Sequence, residues 1–230
     1  MAPAARYRYK PGGVSSHDRI LRFLQSFPRT ARILDVGTAT GYLGAALQRR
    51  GFAHVSGIEV NPAWAEEARP FYERLVVSDV QSAALAWSPS AFDVVICADV
   101  LEHMSEPLAA LLKLRPLLSP SGWLVASLPN VAHWSVRLSL LCGRFAYREN
   151  GILDRDHLRF FTLDSARGLL QRAGLAVARY AVTPLPFGRW GPGSLKAGLG
   201  QALERADHVF ARLRPPFFGY QFVFFCRSAR

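Results

Sequence analysis

Cysteine is scarce in this chain of 230 residues. Cys97, Cys142 and Cys226 are odd in number and far apart, which excludes a disulfide framework and offers no metal-ligand spacing, so no metal is expected. Such usage fits a reducing compartment, and Cys97, inside an apolar run, reads as a small core residue. Long hydrophobic runs are lacking too. No stretch reaches about 18 uninterrupted apolar residues, so no spanning helix is expected. The opening "MAPAARYRYKPGG" has no apolar segment of signal-peptide length, and a cytoplasmic location is expected. Internal repeats are absent. Charged residues are few, at 20% against 50% apolar, which excludes disorder across most of the chain.

Acidic residues are also in deficit, leaving a formal net charge of +11, with arginine greatly outnumbering lysine. Nucleic acid, an anionic membrane surface or an acidic substrate would each suit that balance. The arginines run from Arg6 to Arg230 rather than in one block, so specific nucleic-acid binding is not expected. The length suits one α/β domain with a lid, and sets no oligomeric state.

Between residues 30 and 128, short apolar runs alternate with helical stretches. "ARILDVG", "HVSGIEV", "RLVVSDV", "FDVVICADV" and "GWLVASLPN" read as five strands. "YLGAALQRRG" reads as a helix closed by Gly51, "PAWAEEARPF" as one opened by Pro62 behind an Asn61 cap, and "EPLAALLKLRPLL" as a third. This alternation predicts βαβ units: a Rossmann-like, doubly wound sheet of seven strands, mostly parallel, with helices on both faces. Residues 129–163 lack a strand period and form a basic, aromatic insertion beyond the fifth strand, on the edge where open α/β sheets bind ligands. "LDSARGLLQRAG" then predicts a helix capped by Asp164 and stopped by Gly174, followed by a sixth strand, "LAVARYAV". Residues 194–214 predict a basic amphipathic helix with Leu195, Leu199, Leu203, Ala206, Val209 and Phe210 near one face. That stripe is expected to face the core, with peripheral docking on an anionic membrane as the alternative. "GYQFVFFCR" closes the sheet as an antiparallel seventh strand. The expected organisation is a single domain: 1–30 a cover, 31–128 the cofactor core, 129–163 a substrate-side lid, and 164–230 the C-terminal half.

The stretch "ILDVGTATGYLG" places small residues between Gly37 and Gly41 after a strand. A dinucleotide loop needs G-x-G-x-x-G, and here Ala39 and Tyr42 stand at the second and third glycine positions. A side chain where a pyrophosphate must touch argues against NAD or FAD, and no Gly-Lys-Ser/Thr follows for a P-loop. Glu59, at the end of strand two, can accept from both hydroxyls of an adenosine ribose, and Asp79, ending strand three, from an exocyclic amine. With Asp35, an acid follows each of the first three strands. That set suits a phosphate-free adenosine with a cationic tail, a description that S-adenosylmethionine matches.

"ILDVGTATG", "GIEVNP", "DVVICADVLEHM" and "LKLRPLLSPSGWLVASLPN" resemble the successive motifs of the class I S-adenosylmethionine-dependent methyltransferases, over roughly residues 15–180. "GILDRDHLRFFT" followed by "LLQRAG" is similar to a bacterial subset of the ubiquinone-biosynthesis type. The resemblance implies that Gly37, Thr38, Ala39 and Gly41 cradle the methionine moiety, and that Glu59 with Val60 holds the ribose. It further implies that Asp79 and Val80 frame the adenine and that Ala98 and Asp99 line the floor. The sequence departs from the commonest motif at Ala39, a mild change where no pyrophosphate is accommodated.

Methyl transfer to a hydroxyl needs a base, and histidine has a suitable pKa. His157, with Asp154 and Asp156 nearby to orient it, and His103 are the candidates; the resemblance gives His103 a supporting role in the strand-four turn. His133 has similar standing with less context. His17 precedes a helix that could cover the cofactor's carboxylate end, with Tyr9 nearby, or simply cap it. Trp134, Phe145, Tyr147, Phe160 and Phe161 either stack on an acceptor or bury the lid. Arg137, Arg144, Arg148, Arg155 and Arg159 either bind an anionic group or form a solvated face. His133, Trp134, Arg137, Tyr147, Arg159 and Phe160 are thus the substrate-side candidates. The expected activity is methylation of a small-molecule hydroxyl, on a metabolite or sugar-containing precursor. An RNA or protein methyltransferase is the alternative, although no RNA-binding module and no Asn/Asp-Pro-Pro-Tyr-type tetrapeptide is present. A non-catalytic cofactor-binding scaffold is a third reading.

Overall fold

The computed structural model describes residues 15–82, 84–85, 87–185 and 207–229. Seven strands form one sheet: β1 (Ile33–Val36), β2 (Val55–Glu59), β3 (Arg74–Val77), β4 (Phe92–Ala98), β5 (Leu118–Pro129), β6 (Leu175–Thr183) and β7 (Gln221–Ser228). Their order is β3-β2-β1-β4-β5-β7-β6, with β1 to β5 parallel and β7 antiparallel to both β5 and β6. The expected antiparallel last strand is therefore present. It is inserted between β5 and β6 rather than added at an edge, because Phe222, Val223, Phe224 and Cys226 are all buried and need a neighbour on each side.

Helices cover both faces: α1 (Ser16–Phe23), α2 (Tyr42–Gln48), α3 (Pro62–Ala68), α4 (Pro107–Leu114), α5 (Trp134–Leu141) and α6 (Leu163–Arg172). Every residue of β1 and β2 is buried, as strands covered on both sides require. One core packs Leu34, Val95 and Leu124 with Leu111 of α4 and Leu170 of α6. The other packs Ile33, Ile96 and Val125 with Ile20 of α1 and Leu47 of α2. Each apolar face of the sheet thus buries one helix layer, a hydrophobic arrangement that fixes where the strand tips emerge.

Asn61 caps α3 as expected, its side chain accepting from the Ala63 and Trp64 amides, with Pro62 behind it. The α6 cap is Thr162, not Asp164: Thr162 and Ser165 form a reciprocal box, and Asp164 sits in the first turn. A hydroxyl one residue before the helix reaches the third amide, which an acid inside the helix cannot. Most of the helix expected at 194–214 lies outside the described residues; 207–213 are helical. Within that part the core-facing expectation fails: Val209, Phe210 and Leu213 are exposed, and Ala211 is the apolar residue turned inward.

Candidate cofactor and active site

The loop after β1 is set by backbone geometry. Gly37 and Gly41 have φ of +76° and +84°, and Ala39 sits at +46°. A Cβ on Gly41 would meet the Ala68 backbone Cα at 2.8 Å, and one on Gly37 would meet Val100 Cγ2 at 2.5 Å. Both positions therefore need glycine for shape as well as for conformation. The Gly37 and Thr38 amides donate to the Ile58 carbonyl at 2.8 and 3.2 Å, tying the loop to the tip of β2.

Glu59 stands at that tip and is buried. Its Oε2 accepts from the Ala39 amide at 2.8 Å and its Oε1 from the Asn61 amide at 2.9 Å. Burial raises its pKa, while the amides of Asn61, Ala39 and Val60 oppose that shift by holding the carboxylate form. A carboxylate offers about four acceptor sites, more than these amides occupy. Beside it, Val60 is 66% exposed, an apolar side chain at the crevice with nothing packed over it.

Asp35 is used differently. It is fully buried under the loop, and its Oδ2 accepts from the Tyr72 hydroxyl at 2.6 Å. That hydroxyl in turn accepts from the Gly44 amide at 3.2 Å, so Asp35 braces β1 against α2. Burial pushes its pKa up to about 7. Asp79 closes a turn, accepting from the Gln81 amide at 2.9 Å and the Ser82 hydroxyl at 3.0 Å, and these bonds lower its pKa. Val80, expected beside the adenine, lies in the core, and Thr38 is buried as well.

Asp99, at φ +52° beyond β4, joins four elements. It receives the Ser127 hydroxyl from β5, the Ser16 hydroxyl from α1 at 3.0 Å, and Gln221 Nε2 from β7 at 3.2 Å. Its own amide donates to Ser127 Oγ at 2.9 Å. Ala98 before it is buried. His17 stacks edge-on against Tyr42 at 4.9 Å, so α1 does close over the start of α2.

His157 and His103 come together, their rings T-stacked at 4.8 Å. His157 Nδ1 lies 3.0 Å from the Ile152 carbonyl, which can only accept, so Nδ1 carries the proton and Nε2 the lone pair. Of the carboxylates expected to orient this ring, Asp154 acts on it through its charge. Asp154 Oδ1 also accepts from the Asp156 amide at 3.0 Å, and the Ile152 carbonyl meets the ring at Nδ1. Burial, followed by the charge of His103, lowers the pKa of His157. His103 likewise meets the Asp156 carbonyl at 3.0 Å. Glu102, 1% exposed, is brought beside them, each of the three offering a donor atom within 4.8 Å of the others, a set that could hold a metal ion. Burial raises the Glu102 pKa well above the carboxylate range. Its carbonyl clamps the insertion, accepting from the Leu158 and Arg159 amides at 2.8 and 3.0 Å.

The aromatic residues of the insertion divide between its surface and its interior. Phe145, Tyr147 and Phe160 cluster at 5.4–6.5 Å, with Phe145 and Tyr147 exposed, while Phe161 is core and Trp134 stacks on His133. His133 is fully buried and caps α5 through the Ser135 amide, with its pKa pushed down to about 4 by burial. Arg137 bonds the Ala132 carbonyl, Arg159 bonds the Ser105 carbonyl at 2.6 Å, and Arg155 pairs with Glu149. Arg137 and Arg155 thus hold the lid's own backbone and acid, whereas Arg159 ties the lid to the turn before α4. Tyr72, Ser127, Ser16 and Gln221 gave no sequence signal, being single polar residues in unrelated elements.

A family profile described as "Methyltransferase domain" matches residues 5–180. A ubiquinone biosynthesis O-methyltransferase of Cereibacter sphaeroides is 30% identical over 148 residues, 63% of this chain and 60% of the relative, so the chain spans about three fifths of that protein's length. Among solved structures, an S-adenosylmethionine-dependent methyltransferase from Archaeoglobus fulgidus superposes with a TM-score of 0.62 at 13% identity, covering 91% of each chain. Magnesium protoporphyrin IX methyltransferase from Synechocystis, with S-adenosylhomocysteine bound, gives 0.61 at 19% identity, covering 93% of this chain and 82% of that one.

Proposed function

This chain belongs to the methyltransferase-domain family, and we propose that it moves a methyl group from S-adenosylmethionine to a hydroxyl of a small-molecule acceptor, sugar-containing precursors included. The observation that carries this reading is Glu59: a buried carboxylate at the tip of β2, held by backbone amides that leave it acceptor capacity. The residues fit the proposed cofactor. Glu59 would take the ribose hydroxyls, exposed Val60 would lie against the base, and the loop from Gly37 to Gly41 would pass beneath the methionine end. Bound there, S-adenosylmethionine would supply a methyl group activated on a sulfonium.

The chain's own contribution is orientation, water exclusion and proton removal. His157, kept neutral by burial and fixed in one tautomer by Ile152, would accept the hydroxyl proton at Nε2. The clamp from Glu102 to Leu158 and Arg159 holds the insertion against the tip of β4, closing the acceptor side. The named O-methyltransferase relatives support oxygen as the methylated atom.

Calorimetry with S-adenosylmethionine tests the reading. Micromolar binding is expected, and Glu59→Ala should weaken it by about 1–3 kcal/mol through the unpaired hydroxyls. Unchanged affinity in a variant that keeps its circular dichroism would remove Glu59 from the site.

A further inference from the structure

Glu102 and His103 belong to the short turn Leu101–His103 beyond β4, and His157 reaches them from the insertion. Spacing along the chain hides this set, because its members come from separate segments. Both rings are oriented from behind. His157 Nδ1 lies 3.0 Å from the Ile152 carbonyl, and His103 Nδ1 lies 3.0 Å from the Asp156 carbonyl. A carbonyl only accepts, so each ring keeps a proton on Nδ1, which leaves Nε2 as its ligand atom. Histidines that bind a metal are held in this way, the second nitrogen donating to a carbonyl or carboxylate. Glu102 supplies the third atom. It is 1% exposed, and its Oε2 is buried with no hydrogen-bond partner, so neither a charge nor a proton on that oxygen is matched. Asp99 and Asp154 both act through their charge on Glu102 and on His157, a field that favours a cation.

We propose that Glu102, His103 and His157 form a site for a divalent ion of the zinc class, and that the bound ion shuts off the base. Two imidazoles and one carboxylate suit zinc, cobalt or nickel, whereas magnesium takes oxygen ligands in an octahedron. The three ligand atoms lie within 4.8 Å of one another. Donors about 2.0–2.1 Å from one zinc ion stand roughly 3.4 Å apart in a tetrahedron, so binding draws them together by about 1.4 Å at most. His103, the partly exposed member, is the ring with room to move and the way in from solvent. A neutral imidazole with its proton on Nδ1 has a single lone pair, so His157 Nε2 can take the ion or the acceptor's proton, not both. The block therefore rests on the role proposed above for His157; the metal site itself does not. The ion would also tie the insertion to the tip of β4, beside the clamp made by the Glu102 carbonyl.

Calorimetry of the full chain, stripped with EDTA and titrated with zinc chloride near neutral pH, tests the site. About one ion per chain is expected, with a Kd of about 10 μM or lower. Cobalt(II) in its place should show the visible bands of a tetrahedral ion without a thiolate charge-transfer band. His103→Gln and the isosteric Glu102→Gln should each weaken zinc binding about tenfold or more. Zinc should raise the thermal midpoint of the parent and of neither variant. Binding that both variants keep, with the exposed Cys142 as the ligand to look to, overturns the site. Displacement of zinc by magnesium at equal concentration overturns the ion class. Turnover, read as S-adenosylhomocysteine release, should fall as zinc fills the site and return with EDTA. Zinc that binds and leaves turnover unchanged, or raises it, overturns the block together with the base assigned to His157, while the metal site stands. Failure of zinc to bind overturns the site and leaves the proposed methyl transfer standing, since that is read from S-adenosylmethionine affinity.

Discussion

On the β1–β3 bank of the crevice, polar groups are held within one stretch of chain, residues 35–72: Glu59 by the Ala39 and Asn61 amides, the loop amides by Ile58, and Asp35 by Tyr72. On the β4–β5 bank they are held by contacts between distant segments. Asp99 gathers Ser16, Ser127 and Gln221, and the Glu102 carbonyl gathers residues more than fifty positions away. The first bank is rigid by local geometry and suits a ligand that is always the same. The second depends on which segments are packed against it, so it can vary with the insertion while the sheet stays fixed.

The largest effect should come from breaking the first bank's geometry. Gly41→Val puts a branched side chain at φ +84° and into the Ala68 backbone. A loss of about 3 kcal/mol or more is expected, read as a lower thermal midpoint together with loss of S-adenosylmethionine binding. A parent-like midpoint would mean that this loop is not rigid. Next comes Asp35→Asn. A carboxyl whose folded pKa is raised to about 7 favours folding while protonated, so its contribution is full below the unfolded value and fades as pH rises towards 7. The shift corresponds to about 4 kcal/mol at most. Asp35→Asn keeps an acceptor for Tyr72 and should flatten the stability profile between pH 4 and 7. An unchanged slope would show that Asp35 is not the group responsible.

The same contrast explains what the sequence made legible. Strand alternation, the Asn61 cap and the Gly37–Gly41 turn are local patterns, and each appears in the structure where the pattern put it. The position of β7 between β5 and β6, the Tyr72–Asp35 brace and the Asp99 junction join residues 28 to 122 positions apart, which no period encodes. Acids that look alike in the sequence also separate by depth: Glu59 keeps acceptor sites at the tip, whereas Asp35 one strand over is sealed beneath it. For the arginines of the insertion, the sequence left an anion site and a solvated face open. Composition showed a cationic patch, but not the backbone carbonyls that engage Arg137 and Arg159.

On the second bank, His157→Ala should lower turnover by about 10²-fold with cofactor affinity kept, measured as S-adenosylhomocysteine release from a panel of hydroxylated acceptors. Because burial lowers the His157 pKa, the parent's acid limb should lie below the free histidine value of about 6.5. Normal turnover in the variant would remove the base from this bank.

The smallest effect sharpens where the banks divide. Ser16 is the residue of α1 that reaches Asp99, at 3.0 Å, so Ser16→Ala detaches the cover from the β4 tip without touching the Ile20 and Phe23 anchors in the core. One hydrogen bond to a carboxylate corresponds to about 1 kcal/mol or slightly more, or roughly a fivefold rise in amide exchange where that bond is the restraint. If α1 belongs with the variable bank, exchange should rise in residues 15–23 and at the start of β7, which shares Asp99 through Gln221. Amides of β1 and β2 should stay protected. A rise that spread to the Gly37–Gly41 loop instead would place α1 on the cofactor's bank, with its ring contact from His17 to Tyr42 as the link that carries it.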